Sequence, residues 1–79
     1  MKGYTLTAVI WKEKQGYVAK CPATGVASCG DSPDEALENL REAVEVYLDN
    51  AKRLGLIREL EAGLTARGKF TASFEAAVA

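Results

Sequence analysis

The chain has 79 residues, of which 48% are apolar, and its ten basic and eleven acidic residues give a net charge of −1. This length predicts one domain, residues 1–79, with marginal stability that association would supplement. The balanced charge provides no overall field for nucleic acid, so we expect no direct nucleic-acid partner. The chain opens without an apolar leader and has no run near the roughly 20 apolar residues of a membrane span, which favours a cytoplasmic protein.

Three short strands are predicted in the first thirty residues. Residues 4–13, 17–21 and 26–30 are rich in β-branched, aromatic or small apolar types and are separated by turns containing Gly16 and Gly25. In the first strand both faces carry apolar residues, which predicts a central position in the sheet. One face holds Tyr4, Leu6, Ala8 and Ile10, and the other holds Thr5, Thr7, Val9 and Trp11. Periodicity leaves open which of these faces is exposed, and whether residues 56–68 fold over it.

A strong helix start follows at Ser32, which is placed to cap the first free amides, with Pro33 at the first helical position and Glu35 completing a capping box. The predicted helix runs from 33 to 54, and Gly55 is a suitable residue to end it. At 100° per residue its apolar side chains form one broad stripe, which predicts packing on the sheet. Its acids form a second stripe, which we call the acidic stripe: Glu35, Glu38, Glu42, Glu45 and Asp49.

The last third of the chain is less regular. Residues 56–68 are compatible with a short second helix or with an ordered loop. Residues 69–78 alternate again, with Phe70, Phe74 and Val78 on one face, which predicts a fourth strand parallel to the first. The resulting fold class is α+β, in the order β-β-β-α-β, with sheet order 3-2-1-4 and one long helix packed on the sheet.

The residues that chemistry would require are few. The chain has no histidine, the commonest general base, and its two cysteines, Cys21 and Cys29, lack the Cys-x-x-Cys spacing of oxidoreductases. We interpret them as small buried apolar residues that could be neighbours, the alternative being a redox pair or a reactive thiol. The acids lie on a convex helix face, whereas a metal nuclease needs carboxylates that converge. We therefore expect that the protein is not an enzyme and that it binds no metal and no cofactor.

Two surfaces are candidates for binding another protein. The acidic stripe is compatible with an ordinary solvated helix surface, but its like charges at i, i+3 and i, i+4 cost some helix stability, which favours a docking face for a basic partner. The second candidate is the sheet face away from the helix, where an exposed Trp11 or Tyr4 would form an interaction patch.

Several segments together resemble the HicB family of antitoxins. The resemblance lies in residues 17–22 (Tyr-Val-Ala-Lys-Cys-Pro), in Gly25, in residues 28–32 (Ser-Cys-Gly-Asp-Ser), in residues 35–43 (Glu-Ala-Leu-Glu-Asn-Leu-Arg-Glu-Ala) and in Tyr47-Leu48. It covers residues 4 to about 54, and it implies a partial RNase H-like fold without the nuclease carboxylates. It also implies an antitoxin of a type II toxin-antitoxin system that binds and neutralises a small HicA-like mRNA-cleaving toxin. Many family members carry a C-terminal DNA-binding segment, which has no counterpart after the predicted fourth strand here.

Three functions follow as hypotheses. The first is the HicB-like antitoxin, a homodimer or larger assembly that docks its toxin through the acidic stripe and Trp11. The second is an orphan regulatory or structural homo-oligomer without a toxin. The third is a metal-dependent RNase H-like nuclease, against which the lack of strand carboxylates argues.

Overall fold

The computed structural model describes residues 3–66 and 70–78 and has an α+β architecture. Its sheet consists of β1 (Val9–Glu13), β2 (Gly16–Cys21) and β3 (Val26–Gly30), all antiparallel, in the order β1-β2-β3. A two-residue turn joins β1 to β2, and Gly16 follows it at a φ of 141°, in the range that favours glycine. The predicted meander of three strands is therefore confirmed, with β2 at its centre.

Helix α1 (Pro33–Arg53) has the ends that its sequence predicts. The Glu35 amide donates to Ser32 Oγ at 3.1 Å, and the Asp31 amide donates to Glu35 Oε1 at 3.2 Å. At the other end Gly55 adopts a φ of 74°, and its amide donates to the Lys52 carbonyl. These contacts satisfy backbone groups that the helix itself leaves free, so the local sequence fixes both ends.

The core lies between α1 and one face of the sheet. It is built from small or medium side chains, and Ala19 of β2 and Ala36 of α1 are both fully buried in it. Because these residues are small, the helix backbone approaches the sheet closely. A Cβ added at Gly30 would lie 2.6 Å from the Ala36 nitrogen, so the end of β3 must be a glycine for the helix to start where it does. Helix α1 packs chiefly on β3 and β2 and contacts β1 little.

A second helix, α2 (Ile57–Leu64), occupies the segment that the sequence left open. It contacts α1, and Leu64 is buried. It therefore lies on the helix side of the sheet and does not fold over the opposite face. Neither α1 nor α2 has the length and apolar character that crossing a membrane requires, and this holds for the described residues.

The structure corrects two predictions about the sheet. Strand β1 lies at the edge and not at the centre, and its ladder covers Val9–Glu13 only. Because β2 ends at Cys21 before Pro22, residues 3–8 lie outside the ladder. The fourth strand predicted at 69–78 is not formed: residues 70–78 are in no strand and are exposed, and Lys69 lies outside the described residues. Alternation specifies which side chains share a face, but a strand also needs a partner for its backbone.

Candidate interaction surfaces

The acidic stripe is largely paired within helix α1. Arg41 lies between Glu38 and Glu45: its Nε donates to Glu38 Oε2 at 3.1 Å, its Nη2 pairs with Glu38 Oε1, and its Nη1 donates to Glu45 Oε1 at 2.9 Å. At the end of the helix, Arg53 Nε lies 3.2 Å from Asp49 Oδ2, one turn earlier. These i,i+3 and i,i+4 ion pairs offset the repulsion that a row of acids would otherwise produce.

Glu35 and Glu42 complete the stripe in different ways. Glu35 is engaged at the helix start through the Asp31 amide. Within residues 3–66 and 70–78, Glu42 makes no hydrogen bond or ion pair through its side chain, and it is exposed. The structure therefore separates Glu42 from the other four acids, a distinction that their spacing alone did not reveal.

Arg41 also lowers the pKa of the neighbouring Glu38 carboxyl group. The two hydrogen bonds from its guanidinium hold the pKa of Glu38 below its ordinary value, and the nearby positive charge acts in the same direction. Conversely, the hydrogen bond to Glu38, with the charges of Glu38 and Glu45 and a smaller contribution from the charge of Glu42, raises the pKa of Arg41. Both side chains are largely exposed, so solvent and salt keep the contribution of this pair to stability small.

We expect Arg41→Gln to raise the pKa of Glu38 back toward its ordinary value, because the charged hydrogen bonds that favour the carboxylate are lost. A carboxyl group whose pKa is lower in the folded than in the unfolded state stabilises the fold at pH values above its ordinary pKa. That contribution disappears as the pH falls through the folded-state pKa. Titration of the side-chain carboxyl carbons by NMR measures this directly. Arg53→Gln removes a similar charge beside Asp49 and is the control, since it should leave Glu38 unchanged. An unaltered Glu38 titration in Arg41→Gln would show that the pair does not persist in solution.

The sheet face opposite the helix is the second candidate surface. Trp11, Val18 and Cys29 are partners in register and form one row across the three strands, beside the row of Val9, Lys20 and Ala27. The buried Ala19 and its register partners lie on the inner face of the sheet, against α1. The face that holds Thr5, Thr7, Val9 and Trp11 is therefore the outer one. Trp11 is 39% exposed, and its Nε1 donates to Glu13 Oε1 at 2.8 Å on the same face. Sheet register thus settles the choice between the two faces.

Trp11 and the acidic stripe do not form one site. The Trp11 side chain lies on the outer face of the sheet, whereas the stripe lies on the helix that covers the inner face. A small partner that contacts the stripe therefore does not contact Trp11 unless it also wraps around the β1 edge. The sequence prediction grouped these residues, and the structure divides them between two layers.

An apolar groove opens between α1 and residues 3–8, the segment that leads into β1. Its cavity volume is about 340 Å³, and Arg41 and Glu45 lie on its rim. Sequence periodicity did not predict this groove. Apolar side chains make up most of the lining: Leu6, Ala8, Leu37, Leu40, Val44 and Leu48.

The two cysteines lie on opposite faces of the sheet. Cys21 pairs in register with Val26 and is buried in the core, whereas Cys29 pairs with Val18 and is exposed on the outer face. Both thiols are free. The interpretation as a buried residue is therefore confirmed for Cys21 and wrong for Cys29. The expectation that the two could be neighbours is wrong, because their side chains lie on opposite faces. In the described part of the chain, no three side chains of the histidine, cysteine or carboxylate type are grouped as a metal site requires.

These features define a small α+β domain with a candidate interaction surface on each of its two layers. The chain belongs to a family of unknown function (DUF7387), whose model matches residues 6–61. It is 48% identical over 44 residues to a UPF0150 protein of Helicobacter pylori (strain J99), a match covering 54% of this chain and 61% of the relative. It is 41% identical over 49 residues to the UPF0150 protein ssr1765 of Synechocystis, covering 60% of this chain and 62% of the relative. The chain thus spans about three fifths of the length of these curated relatives. No solved structure matches it.

Proposed function

We propose that this protein is a HicB-like antitoxin that binds and neutralises a small, basic, HicA-like mRNA-cleaving toxin. The segments that carry the resemblance form β2, β3 and the first half of α1, and these elements build the core and the acidic stripe. The matched family region, residues 6–61, contains all of them. In this proposal the protein acts in the cytoplasm by protein binding, without catalysis, and as a homodimer or larger assembly with no direct nucleic-acid contact. The proposal includes a partial RNase H-like fold, in which a fourth strand beside β1 would complete the three-stranded sheet in the order 3-2-1-4.

The observation that carries the proposal is the unpaired Glu42 at the centre of the acidic stripe. It lies one helical turn from both Glu38 and Glu45, whose charges are shared with Arg41. A basic residue of the partner gains an ion pair with Glu42 without breaking one inside the helix. At Glu38 or Glu45 the incoming cation has to replace Arg41, so the gain there is smaller. The stripe is convex and exposed, which suits a protein surface better than a small substrate.

We therefore expect Glu42→Lys to weaken toxin binding more than Glu38→Lys does. Charge reversal at an exposed rim acts mainly on the association rate, so we expect on the order of a tenfold slower association at low salt and a smaller effect at high salt. Glu59→Lys is the matched control, because it makes the same charge change at an exposed position of α2, away from the stripe.

The experiment has two stages. The tagged chain is used to capture its partner from native lysate, and the captured protein is then purified, tested for mRNA cleavage and titrated with the variants. The expected partner is a small basic protein that contains histidine, arrests growth when expressed alone and is relieved by co-expression of this chain. Capture of the bait alone, or a captured protein without ribonuclease activity that this chain inhibits, would overturn the antitoxin proposal. Equal binding by the wild type and Glu42→Lys would remove the acidic stripe from it.

One observation favours the orphan homo-oligomer as a second candidate. Residues 70–78 carry two phenylalanines and a valine in full contact with solvent, which is unusual for a monomer. The metal-dependent nuclease has no such observation in its favour among residues 3–66 and 70–78.

A further inference from the structure

The open edge of the sheet is the starting point. Strand β1 pairs with β2 on one side only, and no described strand pairs with its other side. Residues 5–8, which precede β1 in extended alternation, pair with no strand on either side. Residues 5–10 contain no charge and no proline, so this stretch of edge lacks the features with which monomeric proteins prevent edge pairing. The charged residues of β1, Lys12 and Glu13, lie beyond it.

The exposed segment at 70–78 has the complementary property. Phe70 and Phe74 are each 89% exposed and Val78 is 96% exposed, although the alternation places all three on one face. Thr71, Ser73 and Glu75 lie on the other face. This is the pattern of a strand with one buried and one solvated face. Within residues 3–66 and 70–78 of the single chain, the segment pairs with no strand and its apolar face stays exposed.

The groove between α1 and residues 3–8 provides that surface. Leu6 and Ala8 face it from the sheet side, and Leu37, still 44% exposed, faces it from the helix. A strand added beside residues 5–10 would continue the sheet beneath α1, and every second side chain would point into the groove. On the outer face, Thr5 and Thr7 would lie beside Thr71 and Ser73, so polar residues would adjoin polar ones.

We propose that residues 70–78 of a second copy of this chain pair with residues 5–10 and insert Phe74 into the apolar groove, and that the two copies do this reciprocally. The missing fourth strand is then supplied by the partner copy, and each groove is complete only in the dimer. Main-chain hydrogen bonds along the edge give affinity, and the phenylalanine in the groove gives specificity, as in other cases of strand addition. The inference does not depend on the identity of any toxin.

A second copy is favoured over the chain's own segment by the structure of the single chain. There α2 is fixed by the buried Leu64, and residues 70–78 remain exposed while the groove remains open. Both halves of the contact are thus present and unused in each copy, which is the condition for a reciprocal exchange of strands. The segment of nine residues is also long enough to pair along all six residues of the edge.

The test combines the molecular mass of the protein in solution with the protection of its backbone amides from hydrogen exchange. We expect light scattering after gel filtration to give twice the 8.5 kDa of one chain for the wild type. Phe74→Glu should raise the dissociation constant on the order of a hundredfold, since two phenylalanine side chains per dimer lose their apolar site. The variant should keep the helical circular dichroism signal of α1 and α2, because Phe74 contacts solvent in the single chain. Ser73→Glu adds the same charge on the opposite face of the segment and is the matched control, which should remain dimeric.

Exchange of amide hydrogens then locates the contact. In the dimer, amides of residues 5–10 and 70–78 should both be protected, and both should lose protection in Phe74→Glu. In a mixture of labelled and unlabelled chains, NMR contacts between these two segments should arise between copies. A monomeric wild type, a dimer that Phe74→Glu leaves intact, contacts within one chain, or pairing of one β1 edge with the other would each overturn the proposal.

Discussion

Replacement of Leu40 by alanine is expected to lower the free energy of unfolding by about 2–5 kcal/mol, the range for removing a buried leucine from a packed core. Leu40 is 3% exposed and lies in the cluster between α1 and β2 together with Ala19, Cys21 and Val44. A domain of this length has only about 4–12 kcal/mol of stability in total. The substitution therefore removes a large share of it, and a sizeable unfolded fraction at 37 °C is the visible result.

Leu54→Ala is the matched control, because the same atoms are removed where the side chain is 73% exposed. Urea unfolding followed by circular dichroism, at one fixed protein concentration, measures both variants. We expect the control to lie within about 0.5 kcal/mol of the wild type, as surface substitutions usually do. Equal losses in the two variants would mean that Leu40 is not the centre of the core.

The second large effect is expected at Gly30, where alanine should destabilise the fold by about 1–3 kcal/mol through overpacking. The added Cβ would lie 2.6 Å from the Ala36 nitrogen and 2.8 Å from the Glu35 carbonyl carbon, both of which belong to the backbone of α1. Backbone at a helix start cannot rotate away as a long side chain can. The helix must shift from β3, and the capping contacts of Ser32 shift with it.

Gly63→Ala provides a control of opposite sign. Gly63 lies inside α2, and a Cβ there meets nothing within 4 Å. Alanine is the better helix former, so we expect a gain of about 0.5–1 kcal/mol. Thermal unfolding of the two glycine variants beside the wild type tests the pair. A Gly30→Ala protein with an unchanged melting temperature would show that α1 can start elsewhere at no cost.

Local signals in the sequence predicted the elements that close their own hydrogen bonds. Ser32, Pro33 and Gly55 fixed the ends of α1 to within one residue, and the glycine turns fixed β2 and β3. The sequence placed the acids of the acidic stripe on one face of α1. It did not predict that Arg41 forms ion pairs with two of them, Glu38 and Glu45. That pairing is itself readable from i,i+3 and i,i+4 spacing.

What the sequence did not predict depends on partners distant along the chain. The alternation at residues 69–78 predicted a strand, but residues 70–78 have no strand beside them in the described part of the chain. The same limit applied to residues 3–8, whose extended pattern continues beyond the point where β2 ends at Cys21. Whether an alternating segment is a strand is decided by its neighbours, and neighbours are a property of the assembled molecule.

The position of Trp11 has a practical consequence for studying both surfaces. It is the only tryptophan in the sequence, so the indole fluorescence of the protein reports on one point of the outer sheet face. A partner that binds there shifts the emission, whereas a partner bound to the acidic stripe leaves the indole in its present surroundings. Emission spectra recorded during a titration therefore distinguish the two modes of binding without any label.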